Sequence, residues 1–401
     1  MANLGTSNRS NLSIIEESEF GVIPVTGNPN ALRFTGESLD FTLNTTKSSE
    51  IRDDRQVTDL VTIGASAAGG FNIEWSFAEY DKLLQAVLQG TWDFLGAAGV
   101  SIALPTSATF AANKLTAGGA TTGANLLTKL KKGQWVKIGG STVAGQNKVV
   151  QVSKTVDPTT TEITFEGNPF TGLVGSGGAA VTVSAGRLTN GVTQRSFTIE
   201  RGHLDVEQFF AFRGMTADKL SLTFASAALV NGSFEFMGRD SIRDTETQLP
   251  GTIVASRAFD ITNAVTGVGN IIENGAVLTD TFIKSLKLDV GNALRARDAI
   301  GILGAASIGS GEISVEGTLE VYFADGAMYD RFINSQASSI EWTVQDGAGN
   351  GYAFHIPKLK LSNGKINSSG KDQDIMFSTS FTGLLDPVSG KTILIDRFGV
   401  V

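Results

Sequence analysis

Alternating apolar and polar positions recur along the chain and predict a protein built mainly from β-strands. Residues 71–79 (FNIEWSFAE) place an apolar side chain at nearly every second position, a period that buries one face of a sheet. A helical period follows, with a Ser76 and Glu79 capping pattern before it and Gly90 able to end it. The apolar residues that share one face of this helix are Phe77, Tyr80, Leu83, Leu84, Val87 and Leu88.

The alternating pattern occurs twice along the chain. Residues 38–43 (SLDFTL) match residues 285–290 (SLKLDV), and residues 71–79 match residues 317–325 (GTLEVYFAD). The remaining matched pairs are 80–83 with 329–332, 196–200 with 339–344, 209–224 with 352–361 and 232–238 with 377–383. Because repetition of this kind indicates tandem structural units, we predict two tandem repeats, each a β-sandwich or open barrel with a flanking helix.

Residues 94–192 interrupt the first repeat and have no counterpart in the second. Within them, stretches rich in glycine, serine and threonine flank short β-type runs at 134–138, 148–152, 163–165 and 181–183. A domain inserted at a loop leaves the host sheet intact. We therefore predict a first repeat formed by residues 1–93, with an N-terminal arm, and 193–250, an inserted small β-barrel domain at 94–192, and a second repeat at 251–401.

Charge divides the chain into two chemically different parts. The whole sequence of 401 residues has a formal charge of -8, but residues 94–192 contain eight Lys and Arg against three Asp and Glu. The remainder contains 24 basic against 37 acidic residues. This acidic balance argues against general nucleic-acid binding, which relies on lysine and arginine to displace phosphate counterions.

Several kinds of chemistry are excluded or disfavoured by the residues present. The chain has no cysteine, which excludes disulfides, thiolate nucleophiles and zinc-thiolate sites. The first ten residues (MANLGTSNRS) lack a basic region followed by an apolar core, and no stretch approaches a membrane-spanning length. We expect a protein that is neither secreted nor membrane-bound and that has no cofactor.

The glycine-rich and acidic segments fit structural roles better than ligand binding. Residues 346–351 (DGAGNG), like the group Asp53, Asp54 and Asp59, lack the ligand spacing and closing glutamate of a calcium loop. Residues 172–178 (GLVGSGG) lack the lysine of a phosphate loop. We interpret both glycine-rich segments as turns, with no bound metal.

The histidines and tryptophans are also interpreted as structural. His203 and His355 stand far apart in the sequence without a nucleophile motif, so no catalytic residue is predicted. Trp75 and Trp342 lie in alternating strands and are predicted to be core residues. Trp135 begins a strand of the insertion, and we predict core packing for it over a role in a binding surface.

These strings, in their order and repetition, resemble the siphophage tail tube family, particularly the longer members that carry two tube domains in one chain. The segments that carry the resemblance are 28–39 (NPNALRFTGESL), 51–55 (IRDDR) and 70–88 in the first repeat, and 285–298, 308–311 and 319–332 in the second. The resemblance implies a ring whose inner wall is a continuous β-barrel made by sheets of neighbouring subunits. Since single-domain relatives form six-membered rings, a duplicated chain implies a homotrimer forming a pseudo-hexameric ring.

The resemblance also implies a structural protein of the virion and not an enzyme. Stacked rings would form the tail tube that conducts DNA during ejection, and an acidic lumen would let viral DNA pass without specific binding. The implied partners are further copies of the chain, the tape measure protein, the tail terminator and distal tail proteins, with assembly in the host bacterial cytoplasm. Two alternatives remain open: a tail terminator or baseplate ring protein of the same fold, and a surface-binding β-sandwich adhesin.

The polar connection at residues 44–58 is predicted to be the contact loop between stacked rings. Similar proteins have an inter-ring stacking arm at this place between two strands, and connections this long in compact domains tend to be functional or disordered. The charged residues of the predicted contact loop are Lys47, Glu50, Arg52, Asp53, Asp54 and Arg55. An ordinary solvated hairpin is the alternative, and the shorter counterpart at 291–298 favours it somewhat.

Overall fold

Antiparallel strands dominate the architecture, so the prediction of a mainly β protein is confirmed. The computed structural model describes residues 4–97, 100–105, 107–122, 126–178, 180–269, 271–273, 275–277, 282–323, 326–368 and 370–401. Of the segments discussed above, residues 1–3 and the matched residues 324 and 325 lie outside the described residues. The described strands form one extended sheet and three smaller ones.

The N-terminal part of the first repeat leads into a buried helix. Its elements are β1 (Ser10–Glu16), β2 (Asn30–Ala31), β3 (Gly36–Glu37), β4 (Asp40–Lys47), β5 (Leu60–Glu74) and α1 (Asp81–Leu88). The predicted apolar face is buried, since every residue assigned to it is in the core. Burial of that face, and not helix propensity, holds such a short helix in place.

The predicted capping pattern at the start of α1 is wrong. The helix begins at Asp81, after Tyr80, without a side-chain cap. The Glu79 carboxylate instead accepts a hydrogen bond from the backbone N–H of Arg257 at 2.8 Å. A contact distant in the sequence therefore replaces the local pair. At the other end, Gln89 adopts the left-handed conformation, one residue before the predicted Gly90.

The insertion folds as two four-stranded sheets around a core of its own. Its strands, with the two at its base, are β6 (Asp93–Phe94), β7 (Ile102–Ala103), β8 (Ala108–Ala111), β9 (Lys114–Thr116), β10 (Trp135–Gly139), β11 (Val149–Gln151), β12 (Glu162–Thr164), β13 (Gly175–Gly178), β14 (Thr182–Ser184) and β15 (Gly186–Thr189). The sheet orders are β11-β10-β14-β7 and β12-β9-β8-β13. Buried side chains of both sheets form one cluster, and an antiparallel bridge between Val152 and Phe165 joins the edge strands β11 and β12 of the two sheets.

The strands that follow lie in residues 193–250, predicted to complete the first repeat, and in residues 251–401, predicted to be the second. In the first repeat these are β16 (Ser196–His203), β17 (Gln208–Ala225), β18 (Asn231–Gly238) and β19 (Asp240–Asp244). The second repeat contains β20 (Ile272–Glu273), β21 (Ala276–Val277), β22 (Ile283–Gly291), β23 (Arg295–Arg297), β24 (Ser307–Gly309), β25 (Ser314–Tyr322), α2 (Ala327–Ile333), β26 (Ala337–Gln345), β27 (Gly351–Asn367), β28 (Met376–Gly383) and β29 (Leu394–Phe398).

Two four-stranded runs within the large sheet have the same order of strands. The first run is β4-β5-β18-β17, and the second is β22-β25-β28-β27, with antiparallel pairing throughout. The C-terminal half of β17 also pairs with β22, from Lys219 opposite Gly291 to Ala225 opposite Ser285. This ladder joins the two runs into one continuous sheet, which we call the central sheet.

The longest strand of each run bends where its ladder is interrupted. The register between β16 and β17 shifts next to Gly214, whose φ of +68° suits glycine. In β27 the register with β26 shifts beside Pro357, which has no backbone N–H to donate. Beyond each bend the strand pairs with β16 or β26, so the chain folds over one shared core. Trp75 and Trp342 lie in that core, as predicted.

Candidate assembly surfaces

A hairpin formed by β4 and the first part of β5 carries the predicted contact loop. Its strands pair from Asp40 opposite Ala68 to Lys47 opposite Leu60, and residues 48–59 connect them. The six predicted contact residues, Lys47, Glu50, Arg52, Asp53, Asp54 and Arg55, are all exposed. We call residues 40–68 the arm.

One ion pair orders the tip of the arm. The Arg52 guanidinium donates to both carboxylate oxygens of Asp54, at 2.9 and 2.6 Å. This hydrogen bonding holds the pKa of Asp54 below its ordinary value and raises that of Arg52. This pair involves two of the six charges predicted for intermolecular contacts. Within the part of the chain that the structure describes, Lys47, Glu50, Asp53 and Arg55 form no ion pair.

The arm also exposes apolar side chains that the sequence analysis missed. Ile51 at the tip is fully exposed, and Leu43, Leu60 and Ile63 along the strands are at least half exposed. Burying each such side chain at a contact would stabilise it by about 1.5–3 kcal/mol. The sequence could have revealed this apolar surface, because aliphatic residues occur within an otherwise polar connection. An exposed hairpin with apolar residues along it indicates a contact surface.

The corresponding connection of the second repeat, residues 292–313 between β22 and β25, is, contrary to the prediction, not shorter than the arm's connection, and it lies against the base of the arm. Strands β23 and β24 form a small ribbon, and the backbone N–H of Ala65 donates to the carbonyl of Leu303 at 2.8 Å. Ile300 in this loop is fully exposed. The arm and the connection at residues 292–313 therefore lie side by side in each chain.

The face of the central sheet that points away from the core is polar and carries both charge signs. Between the charged residues this face consists mainly of serine and threonine. Its carboxylates and lysines are Asp40, Glu74, Glu235, Asp289, Glu316, Glu320, Lys219, Lys284, Lys287, Lys360 and Lys365. Asp289 accepts a hydrogen bond from the Ser221 hydroxyl at 2.5 Å and lies 2.9 Å from the Lys287 ammonium. The carboxylates and lysines of this face are therefore nearly balanced in number.

Both outer edges of the central sheet are open. Among the described residues, β4 pairs only with β5, and residues 361–367 of β27 pair only with β28. Backbone N–H and C=O groups on such edges are available for pairing with another chain. The first run begins with β4 and the second run begins with β22. The first run ends with β17 and the second ends with β27. The two open edges, β4 and β27, therefore correspond to β22 and β17, the two strands that pair with each other within the chain.

The base of the insertion is built into the second repeat. Strand β15 pairs with β6 on one side and with β29 on the other. The Arg187 guanidinium in β15 donates to both carboxylate oxygens of Asp396 in β29, at 2.6 and 2.8 Å. The insertion thus emerges from the first repeat in sequence but is anchored on the second.

A buried carboxylate of the second repeat receives three donors from the insertion. Glu341 is 2% exposed and accepts hydrogen bonds from Trp135 Nε1 and, at 2.5 Å, from Gln151 Nε2. The Lys154 ammonium lies 3.4 Å from the same side chain. The core packing predicted for Trp135 is therefore wrong, because a partly exposed indole binds a residue more than 200 positions away. Sequence periodicity within the insertion could not reveal that partner.

Hydrogen bonds within the chain account for Asp346 in its glycine-rich segment and for His203. Asp346 closes its glycine-rich turn by accepting from the backbone N–H groups of Ala348 and Asn350 at 2.9 and 2.8 Å. The His203 ring shares a hydrogen bond of 2.8 Å with the Ser10 hydroxyl. Within residues 172–178, by contrast, positions 175–178 form strand β13 instead of a turn.

In the described part of the chain, no group of three or more His, Cys, Asp or Glu residues has a geometry that could hold a metal ion. In that same part, the helices are too short and too polar for any of them to span a bilayer.

Comparison with known proteins identifies the family of the chain. The sequence profile of the family described as "Phage tail tube protein" matches residues 7–383, which include both runs of the central sheet and the insertion. No curated protein gave a match. Because the family profile covers nearly the whole chain, this protein belongs to the phage tail tube protein family, and it is a structural component of the virion tail.

Proposed function

We propose that three copies of this chain close one ring of the tail tube of a siphovirus-type bacteriophage. The observation that carries the proposal is the ladder between β17 and β22, which joins the end of the first run to the beginning of the second. A ring closes when an equivalent ladder forms between β27 of one chain and β4 of the next. Three chains contribute six runs, and the inner wall becomes one closed barrel.

The same arrangement gives each ring two kinds of junction. One junction lies within the chain, between residues 219–225 and 285–291. The other lies between chains, where the open edge at 361–367 meets the open edge of β4. The two junctions are equivalent in topology but not in sequence, and the insertion accompanies only the first repeat. Three insertions would therefore project from a nearly sixfold wall.

The polar face of the central sheet supports a role as the lining of the lumen. Serine and threonine hydroxyls are hydrated and carry no charge, and carboxylates such as Glu316 and Glu235 are exposed on this face. Negative charge repels DNA phosphates, and neighbouring carboxylates partly neutralise the lysines of this face, as Asp289 does for Lys287 and Glu320 for Lys284. DNA would then pass during ejection without specific binding.

The arm supports the contact between successive rings. Its exposed aliphatic residues, of which Ile51 is the most exposed, provide apolar surface that the adjacent ring can bury. The charges at its tip would orient the arm on that ring. With one arm per chain, each ring would present three arms to the next ring. The remaining partners that we propose are the tape measure protein, the tail terminator and distal tail proteins, with assembly in the host cytoplasm.

Crosslinking at the two open edges tests the proposed ring junction. The chain has no cysteine, so Thr42→Cys in β4 and Lys365→Cys in β27 introduce the only two thiols. A short bismaleimide should link assembled chains into covalent dimers and trimers, and a trimer closed on itself cannot grow further. The matched control carries Thr42→Cys with Lys114→Cys in the insertion and should give no such ladder.

Two results would contradict the proposal. Failure of the edge pair to crosslink in assembled particles would show that β4 and β27 do not meet. A ladder that continues past three chains to six would show that each chain fills one place in the ring instead of two.

A further inference from the structure

A residue between the two repeats bridges the ends of two strands of the first repeat. Residues 251–269, which precede β20, are called the connecting segment. Beyond the ladder between β5 and β18, the N–H of Trp75 donates to the carbonyl of Val230 at 2.8 Å. Thr262 of the connecting segment donates its N–H to the carbonyl of Trp75 and accepts from the N–H of Val230, both at 2.9 Å. Val230 and Thr262 are both buried in this arrangement.

The equivalent strand ends of the second repeat have no bridging residue among the described residues. Beyond the ladder between β25 and β28, the N–H of Phe323 donates to the carbonyl of Ile375 at 2.9 Å, as Trp75 donates to Val230. In the described part of the chain, the carbonyl of Phe323 and the N–H of Ile375 form no hydrogen bond. Ile375 is 47% exposed, whereas its counterpart Val230 is 0% exposed. Backbone groups and apolar surface that are covered in the first repeat are thus open in the second.

The segment before β1 occupies the same position in the first repeat as the connecting segment occupies in the second. Strand β1 pairs with β16 as β20 pairs with β26, and β16 and β26 in turn pair with the bent strands β17 and β27. The carbonyl of Arg9 accepts a hydrogen bond from the N–H of Leu204 at 3.0 Å, just past β16. The carbonyl of Gly267 accepts one from the N–H of Gln345 at 2.7 Å, at the end of β26. The two segments therefore run along equivalent strands.

In this correspondence Leu4 is the counterpart of Thr262, since each stands equally far before its paired carbonyl. The N–H and the hydroxyl of Thr6 donate to one carboxylate oxygen of Asp205, at 2.7 and 2.9 Å, and hold the segment on the first repeat. Leu4 lies beyond this anchor and is 78% exposed, whereas Thr262 is buried. The first repeat therefore presents a bridging residue that has no strand ends to bridge in its own repeat.

We propose that Leu4 of one chain bridges Phe323 and Ile375 of the preceding chain in the ring. This inference rests on the proposed ring, in which the second repeat of one chain meets the first repeat of the next. Because that junction is equivalent to the junction within the chain, the segment before β1 reaches the preceding chain as the connecting segment reaches the first repeat. The N–H of Leu4 donates to the carbonyl of Phe323, its carbonyl accepts from the N–H of Ile375, and its side chain becomes buried.

Thiol crosslinking tests this contact, because the chain has no cysteine of its own. In assembled particles that carry Leu4→Cys with Ile375→Cys, a short bismaleimide should give covalent dimers and closed trimers. The unassembled chain should give no crosslink within itself. Leu4→Cys with Val156→Cys is the matched control, since Val156 is exposed on the insertion, and it should stay monomeric. Every substituted side chain is exposed, so the variants should fold normally.

The edge pair Thr42→Cys with Lys365→Cys separates this contact from the ring itself. If the edge pair crosslinks and the Leu4 pair does not, the bridging role of Leu4 is overturned while the ring stands. If neither pair crosslinks, the ring fails and the inference fails with it. Crosslinking of the Leu4 pair within unassembled chains would also overturn the inference, because the contact would then lie inside one chain.

Loss of the apolar side chain should weaken assembly. Leu4→Ser should raise the protein concentration needed for ring formation about tenfold or more, because an aliphatic side chain is no longer buried at the contact. Val156→Ser, the control, should leave that concentration unchanged. Equal assembly of the two variants would contradict a buried position for Leu4.

Discussion

The Arg397 guanidinium lies 2.7 Å from the Asp81 carboxylate, and this ion pair joins the helix of the first repeat to the last strand of the chain. The Tyr352 hydroxyl donates to the same carboxylate at 2.6 Å. Arg397 also lies over the rings of Phe77 and Phe94, at 4.8 and 5.3 Å from their centres. The two repeats are thus held together by polar contacts in addition to the ladder between β17 and β22.

Breaking this ion pair should destabilise the whole chain. Arg397→Met leaves the Asp81 carboxylate without its cation in a buried setting, which typically costs about 3–5 kcal/mol. The urea midpoint of the unassembled chain should fall accordingly, in a single transition if the repeats unfold together. Arg52→Met, which breaks only the exposed pair in the arm, is the control and should leave the midpoint unchanged. An unchanged midpoint for Arg397→Met would show that the pair contributes nothing net.

Removal of the insertion should leave ring formation intact if its base strands are kept. The backbone N–H of Leu95 donates to the carbonyl of Ala185 at 3.0 Å, so residues 96–184 can be replaced by a two-residue Asn-Gly turn. Glu341 then becomes hydrated, because its partners from the insertion are gone, whereas Asp396 keeps its ion pair with Arg187 in the retained strand β15. Electron microscopy should show tubes without outer projections. A longer deletion that removes β15 would leave the backbone groups of β29 that pair with β15 without partners. We expect such a deletion to unfold part of the second repeat.

Loss of rings from the shorter deletion, with a folded remainder, would contradict this expectation. It would mean that the insertion contributes directly to the contact between chains.

Changes in the arm should separate stacking from ring closure. Reversing the charges of Arg52, Asp53, Asp54 and Arg55 together sets like charges against the contacts of the adjacent ring. Ile51→Ser removes an apolar contact while keeping the charge. Both variants should give single rings in place of long tubes by electron microscopy, and Val156→Ser, an exposed site on the insertion, should assemble normally. Tubes of ordinary length from both arm variants would refute the assignment of the arm.

Protonation of His355 should weaken the chain at acid pH. Burial, aided by the nearby Arg187 and Lys154 cations and opposed by Asp396 and Asp386, lowers the pKa of His355 from 6.5 to about 4. Because the unfolded chain takes up this proton first, the stabilisation is complete above pH 6.5 and is lost between pH 6.5 and about 4, by about 3 kcal/mol in total. His355→Gln should flatten the pH dependence of the urea midpoint across that window. An equal slope in both proteins would rule out this histidine as the cause.

Sequence patterns predicted the parts of the molecule that depend on local periodicity. The alternation around Trp75 and Trp342 correctly placed both indoles in the core, and the helical spacing from Tyr80 to Leu88 correctly gave the buried face of α1. The polarity and length of residues 44–58 also indicated an exposed connection, which the structure has between β4 and β5. Each of these features is set by a few neighbouring residues.

Features that depend on distant partners could not be predicted in the same way. Trp135 binds Glu341, and Glu79 binds the backbone of Arg257, so neither residue does what its local pattern indicated. The two-sheet form of the insertion and its docking on β29 likewise depend on contacts between separate segments. The apolar residues of the arm can be read from the sequence, but only the structure shows that they are exposed on a hairpin and available for a contact.

End-on averages of assembled tubes test the central claim most directly. If each chain fills two of six places in the ring, the averages should have threefold symmetry, with three outer projections over a nearly sixfold inner wall. Six projections per ring would mean six chains, and the equivalence of the two runs of the central sheet as tube domains would then be contradicted.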